Sequence, residues 1–314
     1  RQDQKTVIER MMKAIEHRGP DSEGSFCREK ITLGFRRLSI IDLEDGQQPM
    51  ESADGNLHIV FNGEIYDYKE LRAELEDFGI SFCTHSDTEV LINTIQQYGE
   101  KALDKLRGMF GFAVWNEQEQ SLMLARDFFG IKPVYYAEID GHFVFASEIK
   151  SILAFPGYER KVNQKALEQY LSFQYSPLEE TFFKGIYKLM PGHMLLYKNG
   201  SYEIKTYFKT KLTPGQWDYK TNMAQLRSQL SEILKDSVKH HMLSDVEVGA
   251  FLSGGVDSGY LASSSGADQA FTVGFDEGDR YSEVNKAAKV AEKAGLKHHV
   301  KIISKQEFWD ALPD

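Results

Sequence analysis

The pattern of hydrophobic residues changes once along the chain, near residue 220, and this change constrains the fold more than any other feature. Before it, short β-branched or aromatic runs are separated by turn residues and interrupted by helical stretches at 68–79 and 87–106. After it, strand-like and helix-like segments alternate, which is typical of a parallel α/β sheet. The polar segment 209–222, which contains Pro214 and Gly215, separates the two patterns and is predicted to be a linker.

We therefore predict two domains within the 314 residues, because a chain of this length usually exceeds one hydrophobic core. Residues 1–208 are predicted to form an α+β sandwich of antiparallel sheets. Residues 223–314 are predicted to form the first, incomplete part of an α/β domain with a parallel sheet. Since the chain starts at Arg1 and its last residues, 309–314, form no evident element, we expect it to be part of a longer protein.

The composition limits the classes of function. Hydrophobic residues make up 41% of the chain and aromatic residues 12%, as in packed globular proteins, and the formal net charge is −10. An acidic chain of this kind is not expected to bind nucleic acid or an anionic membrane. Two cysteines are too few for a disulfide framework, and no apolar run is long enough to span a bilayer, so we predict a cytoplasmic protein.

The stretch FLSGGVDSGY, residues 251–260, follows a predicted strand at 245–253 and opens a predicted helix. A helix N-terminus at the carboxyl end of a parallel strand favours anions, and glycines let the backbone approach a phosphate closely. Asp257 beside phosphates is best explained by an intervening metal ion, for which oxygen-preferring Mg²⁺ is suited. The alternative is a tight strand-to-helix turn in which serine and aspartate cap the helix.

The string SGGVDS resembles the pyrophosphate loop of the ATP pyrophosphatases, which cleave ATP to AMP and pyrophosphate while activating a carboxylate. Neither a Walker A loop nor a dinucleotide-binding fingerprint is found in the sequence, which disfavours a kinase or a dehydrogenase. The resemblance implies ATP and Mg²⁺ as cofactors, and it implies that Leu252 and Val273 contact the nucleotide, although both could be plain core residues. The predicted ATP-binding residues are Leu252, Ser253, Gly254, Gly255, Val256, Asp257, Ser258 and Val273.

The first half contains HRGPDSEG, FRRLSIID, FNGEIYDYKEL, HSDTEV and RDFFGIKPVYY in that order. Together these motifs resemble the class II glutamine amidotransferase domain of the glutamine-hydrolysing asparagine synthetase family, and with SGGVDS the resemblance covers essentially the whole chain. It implies a fold like that of the N-terminal nucleophile hydrolases and a ligase that uses glutamine as its nitrogen source.

Glutamine presents a carboxylate, an ammonium and a side-chain amide, so its site needs a cation, an anion and oxyanion donors. Arg37 can hold a carboxylate through a two-pronged contact, and the resemblance assigns the ammonium to Asp87 and the oxyanion hole to Asn62 and Gly63. It also implies that 37–41 is a glutamine-binding strand. The predicted glutamine-binding residues are Arg37, Leu38, Ser39, Ile40, Ile41, Asn62, Gly63, Glu64 and Asp87.

Each of these residues also has a purely structural interpretation. Asn62-Gly63 could be a hairpin turn, Arg37 an exposed edge-strand charge, and Asp87 a helix cap. The loops at 17–20 and 130–133 are interpreted as scaffold and as walls of the site, without a catalytic role.

The chain departs from the family pattern at the nucleophile, which in the family is an N-terminal cysteine. Cys27 and Cys83 lie mid-chain in strand-like runs and are interpreted as structural thiols. Either a preceding segment supplies the cysteine, or the nucleophile has been lost, as in β-lactam synthetase-like cyclases. Because Arg37, Asn62 and Asp87 are all kept, we favour the preceding segment.

The resemblance therefore predicts the amidation of aspartate to asparagine through β-aspartyl-AMP, with ammonia released from glutamine. Glutamine, aspartate and ATP are the predicted small-molecule partners, and the resemblance implies a homodimer. A related amidotransferase for a different carboxylate, such as diaminopimelate in cell-wall precursors, would carry the same motifs. A nucleophile-less cyclase or a non-catalytic nucleotide sensor built from the same two domains would also be compatible with the sequence.

Overall fold

The computed structural model describes residues 3–42, 45–211, 223–276 and 282–312. The chain divides into two compact units, Arg1–Leu212 and Thr213–Asp314. Most of the predicted linker, from residue 212 to residue 222, lies outside the described residues. In the part of the chain that is described, no helix has the length and apolar character needed to cross a membrane.

The first unit combines antiparallel sheets with helices, which confirms the predicted α+β class. The strands form a two-stranded sheet β1-β2, a six-stranded sheet β11-β10-β6-β5-β4-β3 and a three-stranded sheet β8-β7-β9. The helices are α1 (Gln4–Lys13), α2 (Tyr68–Asp77), α3 (Asp87–Tyr98), α4 (Ile149–Leu153) and α5 (Gln164–Phe173). The strands are β1 (Ser22–Cys27), β2 (Thr32–Arg37), β3 (Met50–Glu51), β4 (Leu57–Ile65), β5 (Gly108–Asn116), β6 (Ser121–Arg126), β7 (Tyr135–Ile139), β8 (His142–Ala146), β9 (Ile186–Lys188), β10 (His193–Lys198) and β11 (Ser201–Thr206).

The main core lies between the six-stranded sheet and the smaller sheets. Leu33 of β2 and Tyr136 of β7 pack in one buried cluster with Leu124 of β6 and Leu195 of β10. Helices α1 and α4 contact the smaller sheets, and α3 contacts β3 and β4 of the large sheet. The unit is therefore a two-layer β-sandwich with helices on its outer faces, as predicted.

Two predicted elements of the first unit have different bounds. The segment Leu38–Ile41 is not a strand, because β2 ends at Arg37 and the following residues curve around the Arg37 guanidinium. The predicted helix 87–106 is interrupted at Gly99, whose φ of +59° suits glycine, and it continues as a 3₁₀ segment over Gly99–Asp104.

The second unit contains a parallel sheet in the order β12-β13-β14, which confirms the predicted α/β pattern. The strands are β12 (Ala250–Phe251), β13 (Gln269–Phe275) and β14 (Lys297–Ile303), and the helices are α6 (Met223–His241), α7 (Val256–Ser264), α8 (Val284–Ala294) and α9 (Lys305–Ala311). The predicted strand at 245–253 is too long. Within the described residues, its register with β13 covers Ala250 and Phe251, and the Leu252 N–H donates to the Phe271 carbonyl at 2.9 Å. The Val246 N–H instead donates to the Ser244 hydroxyl.

Small side chains bring α7 and α8 close to this sheet. The buried cluster contains Leu252, Ala262 of α7, Ala270 of β13, and Ala287 and Ala291 of α8. Because alanine is small, the backbones of α7 and α8 can pack close to the strands and leave no cavity between them. The loop that follows Leu252 is therefore held between the sheet and two closely packed helices.

Candidate functional site

The first unit contains a cavity of about 890 Å³ between β2, β4, β5, β8 and α1. Eight of the nine predicted glutamine-binding residues line it, namely Arg37, Leu38, Ile40, Ile41, Asn62, Gly63, Glu64 and Asp87. Ser39 is the exception. Its main-chain N–H donates to Asp21 Oδ2 at 2.8 Å, so it fixes the loop and does not line the cavity.

Arg37 is a buried cation at the end of β2, with 5% of its surface exposed. Its Nη2 donates to the carbonyl oxygens of Ile41, at 3.2 Å, and of Asp42. The guanidinium therefore organises the loop that carries Leu38, Ile40 and Ile41 into the cavity wall. The structure does not support an exposed edge-strand role for this arginine.

Asp42 joins this loop to the start of α3. It has a φ of +50°, and its Oδ2 accepts the main-chain N–H of His85 at 2.9 Å. The Arg37 side and the Asp87 side of the cavity are therefore connected by a hydrogen bond between loops that are 43 residues apart.

Asn62 and Gly63 lie inside β4 and do not form a hairpin turn. Asn62 is opposite Gly111 of β5, and Gly63 is opposite Phe110. A Cβ on Gly63 would collide with the main-chain carbonyl of Met109, so only glycine fits this register. The Nδ2 atom of Asn62 is enclosed and has no hydrogen-bond partner among the described residues, which leaves a donor for a ligand.

Asp87 is the first residue of α3, and Ser86 is the residue that caps the helix. The Asp87 side chain is 5% exposed, and its Oδ2 accepts the Ile65 N–H at 3.0 Å. Burial raises the pKa of the Asp87 carboxyl to about 7, and the nearby negative charge of Glu64 adds to this shift. A cationic ligand at this position would favour the ionised form.

Two further side chains line the same cavity but are not among the predicted glutamine-binding residues. Lys132 belongs to the loop interpreted above as scaffold and site wall, and burial lowers the pKa of its ammonium while Glu64 opposes that shift. Gln48 is 8% exposed and hydrogen-bonds to Phe61 on β4. The Gly-x-Lys-Pro and Gln-Pro strings are the only signals in the sequence for these residues, and neither specifies a site.

Neither cysteine lines the cavity. Cys27 is the last residue of β1, and Cys83 is exposed with its N–H donated to Glu89 Oε1 at 2.8 Å. Cys83 is predicted in a strand-like run, but it lies in a turn before α3. Among the described residues, the cavity wall therefore offers cationic, anionic and amide groups but no thiol.

In the second unit, residues 253–255 form a loop that enters α7, and residues 256–258 are the first turn of that helix. The Ser253 and Ser258 hydroxyls are 2.9 Å apart, and Ser258 Oγ also accepts the Ser253 N–H at 3.3 Å. The first intrahelical bond of α7 is donated by Gly259 to the Gly255 carbonyl, so the N–H groups of residues 256–258 precede the helical ladder. Two hydroxyls and the first N–H groups of α7 therefore lie within one short segment at a helix N-terminus, the kind of position that favours anions.

The two glycines of the loop have different environments. Gly254 has a φ of +80°, and a Cβ there would lie 2.8 Å from Lys286 Cβ and 3.0 Å from the Ala287 nitrogen. Gly255 has a φ of −76°, and a Cβ there would meet the Ser253 hydroxyl only at 3.4 Å. Gly254 is therefore required by packing on α8, whereas the protein itself leaves room at Gly255.

Leu252 and Val273 lie on neighbouring strands but differ in exposure. The Leu252 side chain is buried in the core, and its carbonyl accepts the Thr272 hydroxyl at 2.6 Å. Val273 is 49% exposed on the face of β13 opposite to Thr272. Of these two residues, Val273 is the one that presents its apolar side chain to solvent.

Asp257 is exposed in the first turn of α7. No group of three or more His, Cys, Asp or Glu side chains within the described ranges could hold a metal ion by itself. Mg²⁺ is commonly held by one or two carboxylates together with substrate phosphates, and a single exposed carboxylate beside an anion-binding loop fits that arrangement.

Two family models match the chain. Residues 1–208 match the model described as a glutamine amidotransferase domain, and residues 229–314 match the model described as asparagine synthase. These matches fall within the two compact units.

Similar proteins cover nearly all of the chain. It is 44% identical over 316 residues to asparagine synthetase [glutamine-hydrolyzing] 1 of Bacillus subtilis, covering 99% of this chain and 49% of that protein. It is 36% identical over 331 residues to a putative asparagine synthetase [glutamine-hydrolyzing] of Mycobacterium bovis, covering 99% and 50%. The chain therefore spans about half the length of these curated relatives.

A solved structure has a similar fold. The structure of the allosteric regulatory enzyme of purine biosynthesis aligns with a TM-score of 0.51 and 16% identity, covering 95% of this chain and 77% of that one. At this identity the likeness concerns the fold alone.

Proposed function

The chain belongs to the glutamine amidotransferase domain family through residues 1–208, and from that premise we propose that its first unit hydrolyses glutamine to glutamate and ammonia. The observation that carries the proposal is the convergence of Arg37, Asn62 and Asp87 on one cavity. These side chains match the three parts of glutamine that must be recognised. The asparagine synthase match over residues 229–314 and the similarity to two asparagine synthetases support the proposal, given below, for the whole protein.

Each group of the cavity has a defined part in this proposal. Arg37 holds the α-carboxylate, and the ionised Asp87 holds the α-ammonium, so the side-chain amide is directed towards Asn62 and Gly63. The Asn62 amide donor and the Gly63 N–H stabilise the oxyanion that forms when the amide carbon is attacked. Because Asn62 Nδ2 has no partner in the described structure, no internal hydrogen bond has to be broken first.

Hydrolysis through a thioester needs a thiol, and no cysteine is among the described residues that line the cavity. Cys27 and Cys83 lie outside the cavity, so we propose that a thiol from outside residues 1–314 attacks the amide carbon. The carbon–nitrogen bond then breaks with transfer of a proton to the leaving ammonia, and water hydrolyses the thioester to glutamate.

The second unit is proposed to bind ATP at Ser253–Ser258. The loop hydroxyls and the first N–H groups of α7 hold the phosphates, and Val273 contacts the base. Asp257 would hold Mg²⁺, which supplies charge neutralisation between the phosphates when it is bound. The role of the loop is to position ATP for attack by a carboxylate on the α-phosphorus, with release of pyrophosphate.

For the whole protein we propose glutamine-dependent synthesis of asparagine from aspartate. The aspartate β-carboxylate forms β-aspartyl-AMP, and ammonia from the first unit displaces AMP. The supporting observations are the asparagine synthase match over 229–314 and the identity with two asparagine synthetases. We further propose a cytoplasmic homodimer. We also propose that it has no nucleic-acid or anionic-membrane partners, which the net charge of −10 supports.

The test uses the full-length protein with glutamine that is isotopically labelled in its side-chain amide nitrogen. We expect labelled asparagine, AMP and pyrophosphate in equal amounts when aspartate and ATP are present. Glutamate release without labelled asparagine would refute the acceptor assignment, and diaminopimelate is then offered in place of aspartate. Absence of glutamate release would refute the proposed glutaminase activity.

A further inference from the structure

Gln48 lies where the edge of β4 loses its main-chain partner. Strand β3 pairs with β4 through Met50 opposite Ile59 and Glu51 opposite His58. Continuing the same antiparallel register by two residues places Gln48 opposite Phe61. At that position a regular ladder would exchange two hydrogen bonds between main-chain groups.

The main chain at Gln48 turns away from β4 and packs against β1. A Cβ on Gly24 of β1 would collide with the Gln48 carbonyl, which shows how closely the two backbones approach. The next residue, Pro49, has no N–H to donate. The two main-chain groups of Phe61 would therefore be left without partners on this edge.

The side-chain amide of Gln48 takes the place of the missing main-chain amide. Its Oε1 accepts the Phe61 N–H at 2.6 Å, and its Nε2 donates to the Phe61 carbonyl at 3.2 Å. Donor and acceptor have the same arrangement that a strand would offer, so the ladder of β4 continues as far as the residue before Asn62.

A third hydrogen bond connects the same amide to α3. Gln48 Nε2 donates to Thr88 Oγ1 at 3.3 Å, and Thr88 follows Asp87 directly. Both Gln48 and Thr88 are buried, and Gln48 also lines the cavity. One amide thus bridges the strand that carries the oxyanion donors and the helix start that carries the acidic group.

We propose that Gln48 is a positioning residue, which fixes Asn62 and Asp87 relative to each other and so sets the geometry of the glutamine site. This inference rests on the proposed glutaminase function for its kinetic consequence, although the hydrogen-bond bridge itself does not. Displacement of a reacting or orienting group by about 1 Å can cost roughly 100-fold in rate. Loss of the bridge is therefore expected to slow glutamine hydrolysis, in addition to the stability lost when the buried Phe61 main-chain groups are left unpaired.

The experiment compares Gln48→Met, Gln48→Glu and Ser52→Ala in the full-length protein. Methionine keeps the length of the side chain and removes all three hydrogen bonds. Glutamate keeps an acceptor for the Phe61 N–H but removes the donor to the Phe61 carbonyl and to Thr88. Ser52 is the matched control, because its buried hydroxyl accepts the Leu57 N–H at the opposite end of β4.

Two readouts are measured. We expect Gln48→Met to lower kcat/KM for glutamine by about 100-fold, with kcat reduced and KM for glutamine raised. Hydrogen exchange of the Phe61 amide should accelerate in Gln48→Met but remain slow in Gln48→Glu and Ser52→Ala. Synthesis driven by added ammonia, and the glutamine kinetics of Ser52→Ala, should stay within about twofold of the wild-type values.

The outcomes distinguish this inference from the proposed function. Unchanged glutamine kinetics in both Gln48 variants would overturn the positioning role, as would equal slowing by Ser52→Ala. If the wild-type protein releases no glutamate, the proposed function fails. The hydrogen exchange of the Phe61 amide is then the only test of the hydrogen bonds made by Gln48. Slow exchange in Gln48→Met would show that Gln48 does not protect the Phe61 amide.

Discussion

The carboxylate of Asp87 accepts the main-chain N–H of Ile65 at 3.0 Å, so the first residue of α3 is tied to the last residue of β4. This bond places a buried acidic group beside the strand segment that contains Asn62 and Gly63. The bond stabilises the ionised carboxylate, but burial and the charge of Glu64 outweigh it, and the pKa rises to about 7.

The fall of kcat/KM for glutamine on the acidic side of its pH profile should reflect protonation of the Asp87 carboxylate. Only the ionised carboxylate pairs with the glutamine ammonium, so kcat/KM for glutamine should fall as the pH drops below about 7. Asp87→Asn should remove this fall and lower kcat/KM at about pH 8 by roughly 30-fold or more. If Asp87→Asn keeps the wild-type fall of kcat/KM at acidic pH, a group other than Asp87 causes that fall.

Asp87 should also oppose folding when no ligand is bound. Its pKa is raised on folding, so the folded state binds more protons than the unfolded state between pH 3.8 and about 7. The free energy of unfolding therefore decreases as the pH rises through this range. Asp87→Asn should have a higher Tm than the wild type at about pH 8, and thermal unfolding at several pH values measures this.

A lower Tm for Asp87→Asn at every pH would show that the carboxylate stabilises the fold. Asn93→Asp on the same helix is not a suitable control, because the Asn93 amide donates to the Glu89 carbonyl at 2.9 Å. Thr94→Val is suitable, since it removes a buried hydroxyl that donates to the Val90 carbonyl at 2.7 Å on the same helix without changing a charge, and any change in Tm should be the same at all pH values.

The enclosed amide of Asn62 should act mainly on the transition state. Asn62→Asp keeps the shape of the side chain but replaces the donor Nδ2 with an acceptor, so the oxyanion loses a hydrogen bond and meets a negative charge. We expect kcat for glutamine to fall by at least about 100-fold, measured by glutamate release. If kcat falls less than twofold, Asn62 is not an oxyanion donor.

His58 should control the acid stability of the first unit. Burial lowers the pKa of His58 below the ordinary value of 6.5, and its ring stacks on Phe26 at 3.9 Å. The unfolded state then binds more protons below pH 6.5, so the free energy of unfolding decreases as the pH falls. His58→Phe keeps the stacking, and its Tm should fall less on acidification than that of the wild type.

The control for His58 is a substitution at the exposed His85, which should leave the acid sensitivity of Tm unchanged. An equal acid sensitivity of His58→Phe and the wild type would exclude His58 as the group responsible.

Local patterns predict the elements that depend on near neighbours. The short apolar and aromatic runs of the first half form strands, as β5 (Gly108–Asn116) does, and short motifs are enough to single out Asp87 and Asn62. The features that the sequence does not predict depend on individual hydrogen bonds between side chains and main-chain groups. The loop after Arg37 is curved by carbonyl contacts to a side chain, and the role of Gln48 depends on a side chain that replaces a main-chain partner. No periodicity in hydrophobicity records either effect.

Asp257 should separate the two activities of the proposed enzyme. Asp257→Ala removes an exposed carboxylate in the second unit, so the fold and the glutamine cavity of the first unit should be unaffected. We expect formation of AMP to be lost while glutamate release persists in the full-length protein. Retained AMP production would refute the role of Asp257 at the phosphates.

The two loop glycines should respond differently to alanine. At Gly254 the φ of +80° costs a non-glycine residue about 1–2 kcal/mol, and the Cβ would press on the main chain of Ala287. Gly254→Ala should therefore lower Tm.

At Gly255 the protein leaves space, so Gly255→Ala should fold normally but raise KM for ATP, because the new Cβ stands where a phosphate approaches the helix end. Equal Tm values with equal losses of ATP affinity would show that both glycines serve only the ligand. Loss of stability in both would show that the loop is a structural turn.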